Sequence, residues 1–187
     1  MGGFKGFTLI ELMVTVAIVG VAATVAVPSL TVFMQNNRMT TNVNDFVTSI
    51  NVARSEAVKR GTKVTLCKSN NGKDCASSGN WEQGWISFVD PNNNAAVDKG
   101  ETLLQVHETL RGKNTTLIGN SNVDDYISFA ATGFSQQTSG ALQPGTLILC
   151  DDRGFGKNAK GIVLNTTGRV MAVPATETGK VDCHANQ

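Results

Sequence analysis

The stretch from Phe7 to Val27, FTLIELMVTVAIVGVAATVAV, holds 21 residues and a single charge, Glu11. A helix of that length rises about 1.5 Å per residue and spans about 30 Å, the thickness of a bilayer's hydrocarbon core. Ahead of it stands the polar, Gly-rich MGGFKG with one cation, Lys5. A cation before an apolar span favours a cytoplasmic N-terminus. The run is longer than the apolar core of a secretory signal peptide, and it meets Pro28 with no convincing Ala-x-Ala-like cleavage site. A plain membrane anchor explains the length but not the carboxylate. An ionisable group in lipid is costly, so it calls for a named partner. For Glu11 the natural partner is a cation, and a new α-amino group at Phe7 would supply one.

The string Gly6-Phe7-Thr8-Leu9-Ile10-Glu11-Leu12 resembles the class III signal of type IV pilins and type II secretion pseudopilins. The resemblance implies that a prepilin peptidase cuts between Gly6 and Phe7, removing a leader of residues 1–6. It implies that Phe7 becomes the N-methylated terminus. It implies that Glu11 neutralises the terminal amine of a neighbouring subunit in a helical filament. Pro28 matches the family's helix-kinking proline.

The remaining ~160 residues suffice for one domain with its own core. A net charge of +1 gives no whole-chain argument for nucleic acid. Aromatic residues are few and glycines number 19, which suits a β-rich domain with many turns. If this domain lies outside the inner membrane, an oxidising compartment admits disulfides. Cys67, Cys75, Cys150 and Cys183 allow three connectivities. Cys67 and Cys75 enclose the turn-forming KSNNGKD, so the expected pairs are Cys67–Cys75 and Cys150–Cys183, the second tying the tail to a core strand. There is no C-x-x-C, and His184 beside Cys183 with the distant His107 makes no metal-ligand set.

Between Ser29 and Arg60 there is neither Gly nor Pro. Apolar residues recur at Val43, Phe46, Val47, Ile50, Ala53, Ala57 and Val58, the three–four spacing of an amphipathic helix. The opposite face is assigned Asn42, Asn44, Asp45, Thr48, Asn51 and Lys59. Gly61 is a C-cap signal, with Lys59 and Arg60 in the last turn where cations suit the helix dipole. Pro28 would normally stop or kink a helix. One long helix is nevertheless expected, with residues 7–27 spanning the membrane and residues 28–60 continuing as an amphipathic segment. A β-rich domain over residues 61–187 follows.

The segment Asn51 to Gly61 resembles the ARSEA stretch of the GspH/FimT/FimU minor pilins. Arg54 and Glu56 are two apart and share no helix face, so each has its own partner or both are solvated. Past Gly61 the period becomes two. Strands are expected at 63–67, 84–90, 101–108, 115–118, 126–130, 146–150, 162–165 and 169–173. Trp81 and Trp85 resemble the group's WxxGW pair and are read as core or domain edge. From Asp90 to Glu101, oxygen donors fall at positions 1, 3, 5, 9 and 12 of an EF-hand-type calcium loop, but Ala95 replaces the required glycine and strands flank the loop. A long polar hairpin loop is the competing reading, and no residue is assigned to a metal.

No nucleophile–His–acid arrangement, P-loop or dinucleotide motif is present, so no catalysis and no cofactor are expected. Similarity to FimT-type proteins implies a DNA-uptake motif, Gly-Arg-x-Arg, near the C-terminus. Here it is Gly168-Arg169-Val170-Met171, with Met171 in place of the second Arg. Lys157, Lys160 and Lys180 are the added DNA-contact candidates, nearly balanced by neighbouring acids. The alternative is an Arg that merely starts a strand. The fold is expected to be α+β, a long N-terminal helix on an antiparallel head, and the resemblance implies two packed sheets in that head, the pilin lollipop. The resemblance implies a non-catalytic minor pilin that initiates or caps a type IV pilus, or an H-type pseudopilin of type II secretion, or a pilus-borne DNA receptor. It implies as partners the prepilin peptidase, other pilins or pseudopilins, the inner membrane before assembly, and DNA in the third case. It places the C-terminal domain in the periplasm and then on the filament.

Overall fold

The structure, a computed structural model, describes residues 6–112, 114–156, 158–178 and 183. One helix, α1, covers Leu9–Arg60 and contains Pro28. Eight strands follow among the described residues: β1 (Val64–Lys68), β2 (Trp85–Val89), β3 (Leu103–His107), β4 (Thr116–Gly119), β5 (Tyr126–Phe129), β6 (Gly145–Cys150), β7 (Lys160–Leu164) and β8 (Val170–Pro174). The chain divides into two compact units, residues 1–37 and 38–187.

In the first unit the helix is apolar on every side. Leu9, Ile10, Met13, Val16, Val19 and Leu30 are all exposed. Such a helix needs lipid or other helices around it. Three of its hydroxyls are turned inward on the backbone: Thr15, Thr24 and Thr31 donate to the carbonyls of Leu12, Val21 and Val27. These bonds satisfy groups that hydrocarbon could not. The helix continues through Pro28.

In the second unit α1 buries Met39, Val43, Phe46, Ile50, Ala53 and Ala57. Two assignments along this stretch are corrected. Val58 is 53% exposed, because it lies one position past Ala57 and turns off the stripe. Asn42 is buried beside Met39 and Val43, where its Nδ2 donates to the Arg111 carbonyl at 3.0 Å. A buried amide is tolerated only with such a partner. Gly61 ends the helix at φ 65°, and the Thr62 N–H reaches back to the Ala57 carbonyl, a Schellman closure.

The strands form two four-stranded sheets, ordered β3-β2-β1-β5 and β4-β6-β7-β8, with every pairing antiparallel. Alternation sends Val64, Leu66, Leu147 and Leu149 into one core with the α1 stripe, Trp81, Trp85, Phe129 and Ile162. Phe46 meets both tryptophans edge-on, at ring distances of 5.2 and 4.9 Å. Fully burying each such ring contributes about 1.5–3 kcal/mol, with edge-on contacts adding to it. Cys67, Ile86 and Phe88 occupy the other face of the first sheet, and Ile148, Cys150, Ala159, Ala175 and Cys183 that of the second. The disulfides Cys67–Cys75 and Cys150–Cys183 lie on these outer faces. They pin Cys75 and Cys183 against strands β1 and β6.

Candidate functional site

Gly6, Phe7 and Thr8 precede α1, and Phe7 is 77% exposed. Thr8 caps the helix: its Oγ1 accepts from the Glu11 N–H at 3.3 Å, and its carbonyl accepts from the Leu12 N–H at 3.2 Å. Glu11 therefore occupies the third helical position, in the turn where the helix dipole favours an anion. The Thr-x-x-Glu spacing is the sequence signal of a capping box. It gives the first turn a defined geometry and holds the carboxylate at the exposed end of an apolar helix. Lys5 and the rest of the leader lie outside the described residues.

Arg54 has two partners in the head domain. Its Nε donates to the Gly133 carbonyl at 2.9 Å, and its Nη2 to the Thr167 carbonyl at 3.1 Å. Glu56 instead accepts from Arg60 at 2.6 Å and Lys59 at 3.4 Å on its own helix. The Arg60 hydrogen bond leads in holding the Glu56 carboxyl below its ordinary range. The pair thus splits: Arg54 ties the helix to two turns, and Glu56 dresses the helix end.

The two described DNA candidates, Arg169 and Lys160, do not converge. Gly168 sits at φ 76° in the β7–β8 hairpin, whose turn is closed by the Asn165 and Gly168 N–H groups and by the Asn165 side chain on the Arg169 N–H. Arg169 is exposed just before β8, not within it. Lys160 pairs with Pro174 at the other end of the hairpin, about five residues and about 16 Å of strand away. Lys157 and Lys180 lie outside the described residues, as does His184. The Arg153 guanidinium is engaged with Asp151, donating from Nε at 3.0 Å and from Nη2 at 2.6 Å.

Asp90 is occupied by the fold. It accepts from the Thr65 hydroxyl at 2.7 Å and from the N–H groups of Asn94 and Ala95 at 3.1 Å each. Asn92 and Asn94 both donate to Asp98 at 2.7 Å. These hydrogen bonds shape the β2–β3 connection. His107 stacks on Trp85 at 3.9 Å between ring centres and lies 3.7 Å from Asp45.

The comparisons agree with this layout. Residues 42–168 match the family model described as type II transport protein GspH, and residues 1–27 match the prokaryotic N-terminal methylation motif. A fimbrial protein of Moraxella nonliquefaciens is 26% identical over 163 residues, covering 84% of each chain. The type IV major fimbrial protein FimA of Dichelobacter nodosus is 30% identical over 86 residues, and the match spans 46% of either chain, just under half of that protein. The fold is shared with the type IV minor pilin FimU of Pseudomonas aeruginosa, at a TM-score of 0.56 and 19% identity over 78% of this chain and 95% of that one.

Proposed function

The chain belongs to the GspH family and carries the N-terminal methylation motif, and from that premise we propose that it is a non-catalytic minor pilin incorporated into a type IV pilus, where it helps initiate or cap the filament. The observation that carries the reading is the first unit of α1. Its apolar side chains are exposed all round, its one charge is Glu11, and Thr8 fixes that charge in the first turn. Such a surface is stable in lipid before assembly and among other apolar helices afterwards.

In this reading the prepilin peptidase cuts between Gly6 and Phe7, and the exposed Phe7 becomes the methylated terminus. Glu11 then pairs with the terminal amine of a neighbouring subunit. A buried carboxylate left unpaired costs several kcal/mol, so the pairing sets the axial register of one helix against the next. The head domain lies in the periplasm until the filament extends. The likeness to FimU and to fimbrial proteins supports the pilus. The family's own description, type II transport, supports a second reading, the minor pseudopilin of a secretion machine.

The test is Glu11→Val. Membrane-fraction levels should stay at wild type, because the helix becomes more apolar. The amount recovered in sheared filaments should fall at least tenfold. Undiminished recovery would sink the Glu11 pairing, and absence of the unaltered chain from filaments would sink the pilus reading itself.

A further inference from the structure

The two sheets have four outer edges, and three are blunted. On β4, Glu82 accepts from the Leu117 N–H at 2.9 Å. Along β5, Gln136 donates to the Ser128 carbonyl and Gln143 accepts from the Ser128 N–H. At β3, the pairing with β2 is interrupted by an irregularity between Ser87 and Phe88. Folded proteins use such devices because an open strand edge recruits another strand.

Among the described residues β8 shows none of these devices from Val170 to Val173, which reads VMAV without a charge. The ladder fixes which groups are open. The Asn165 N–H bonds the Arg169 carbonyl at one end, and the Ala175 N–H bonds the Ala159 carbonyl at the other. Antiparallel alternation therefore turns residues 171 and 173 toward β7 and residues 170 and 172 away from it. The outer edge presents the N–H and C=O of Val170 and Ala172 and the carbonyl of Pro174. Beside this edge runs a trough of about 230 Å³ between β8 and α1, lined by Thr40, Val43, Asn44, Ala172 and Pro174. Ala172 pairs with the core residue Ile162, so its side chain lies on the helix side of the sheet and its small size leaves the trough open. Exposed Arg169 stands at one end of the edge, and Lys160 lines the trough at the other.

We propose that this edge takes an extended segment of a neighbouring filament subunit as an added strand, apolar or small at its centre and acidic at its ends. Backbone groups spaced along an edge are matched by another extended backbone, and the trough receives its alternate side chains. The two flanking cations select the acidic ends and disfavour self-pairing of β8. This rests on the assembly reading above.

The test places a photo-crosslinking amino acid at Asn44 in the full chain, in cells that build the filament. Irradiated filaments are sheared, and the adduct is mapped by mass spectrometry. The expected adduct joins Asn44 to an extended segment of another subunit with acidic residues flanking an apolar centre. Ala172→Pro removes an outward N–H without touching the ladder to β7, and should lower the adduct at least tenfold. Lys160→Glu leaves the backbone unchanged, serves where the proline variant does not fold, and should lower it at least threefold. An adduct insensitive to both changes, or one mapped to a helix, overturns the proposal. If the chain enters filaments and no Asn44 adduct forms, the edge proposal fails while the assembly reading stands. If the unaltered chain does not enter filaments, both fail.

Discussion

Arg54 holds the Gly133 carbonyl at 2.9 Å across 79 residues of sequence, and with the same guanidinium it holds the Thr167 carbonyl at 3.1 Å. The planar fork of arginine reaches two acceptors at fixed separation, which a lysine ammonium on a flexible stem does not reproduce. Both turns are shaped for the approach. Gly133 and Gly168 have φ of 81° and 76°, and a Cβ on Gly168 would lie 2.2 Å from the Gly133 carbonyl oxygen. Three segments, the last turns of α1, the turn after β5 and the β7–β8 hairpin, are thereby locked at one point.

Arg54→Ala should therefore cost about 2 kcal/mol, the range for hydrogen bonds to a charged group that is half-buried. For a chain of this size that is a fall of about 4–8 °C in Tm, read by thermal unfolding of the detergent-solubilised protein. Arg54→Lys should recover less than half of it. A shift below 1 °C for Arg54→Ala would show that the clamp contributes nothing.

Gly168→Ala should cost more than Gly140→Ala, and the difference isolates the close approach. Both glycines lie in the left-handed region, at φ 76° and 86°. A Cβ at Gly140 meets nothing within 4 Å, so it carries the backbone penalty alone, about 1 kcal/mol. At Gly168 the same penalty is joined by a collision with backbone that cannot move aside as a side chain would. A gap in Tm of several degrees between the two variants is expected. Equal values would mean that the two turns separate at little cost.

The division between what was legible and what was not follows range. The α1 stripe, its Gly61 stop and all eight strands were readable because apolar spacing of three–four or two is a local signal. The strand at residues 160–164 began two positions earlier than expected, since Lys160 and Gly161 pair with β8 on hydrogen bonds that apolar pattern does not report. The Arg54 partners were not readable at all, because they are carbonyls, which every residue has, on turns 79 and 113 positions away. Asn42 was misassigned for a related reason: a polar type at a flank of the stripe reads as solvated until the Arg111 carbonyl is placed against it. At the candidate site the Gly6–Glu11 string was strong because several rare choices coincide there. The cations near Gly168 were weak because only folding decides which of them share a face.

Asp151 should make the head domain acid-sensitive. Burial pushes its carboxyl up, but hydrogen bonds from the Arg153 side chain and N–H outweigh that and hold it below its ordinary range. The folded value is thus below the unfolded one. The stabilisation is present above the unfolded value and disappears as pH falls through the folded one, from about pH 4 downward. Asp151→Asn should lower Tm at pH 7, and the gap to the wild-type curve should close progressively as pH falls below about 4. A gap between the two curves that stays constant from pH 7 to pH 2 would refute the role of this pair.

DNA binding should be weak, and its salt dependence should reveal why. Each phosphate neutralised contributes a slope of about −0.9 in log affinity against log salt. Arg169 is exposed, but Lys160 lies at the far end of the β7–β8 hairpin and the Arg153 fork is engaged with Asp151. The described cations of that arrangement offer one or two contacts, for an expected slope no steeper than about −2. Fluorescence anisotropy of the detergent-solubilised chain with a labelled duplex, across a salt series, measures the slope directly. Arg169→Ala should reduce its magnitude by about one. A slope steeper than about −4 would mean that cations far apart in this fold act on one duplex, and it would move the DNA-receptor reading ahead of a purely structural role.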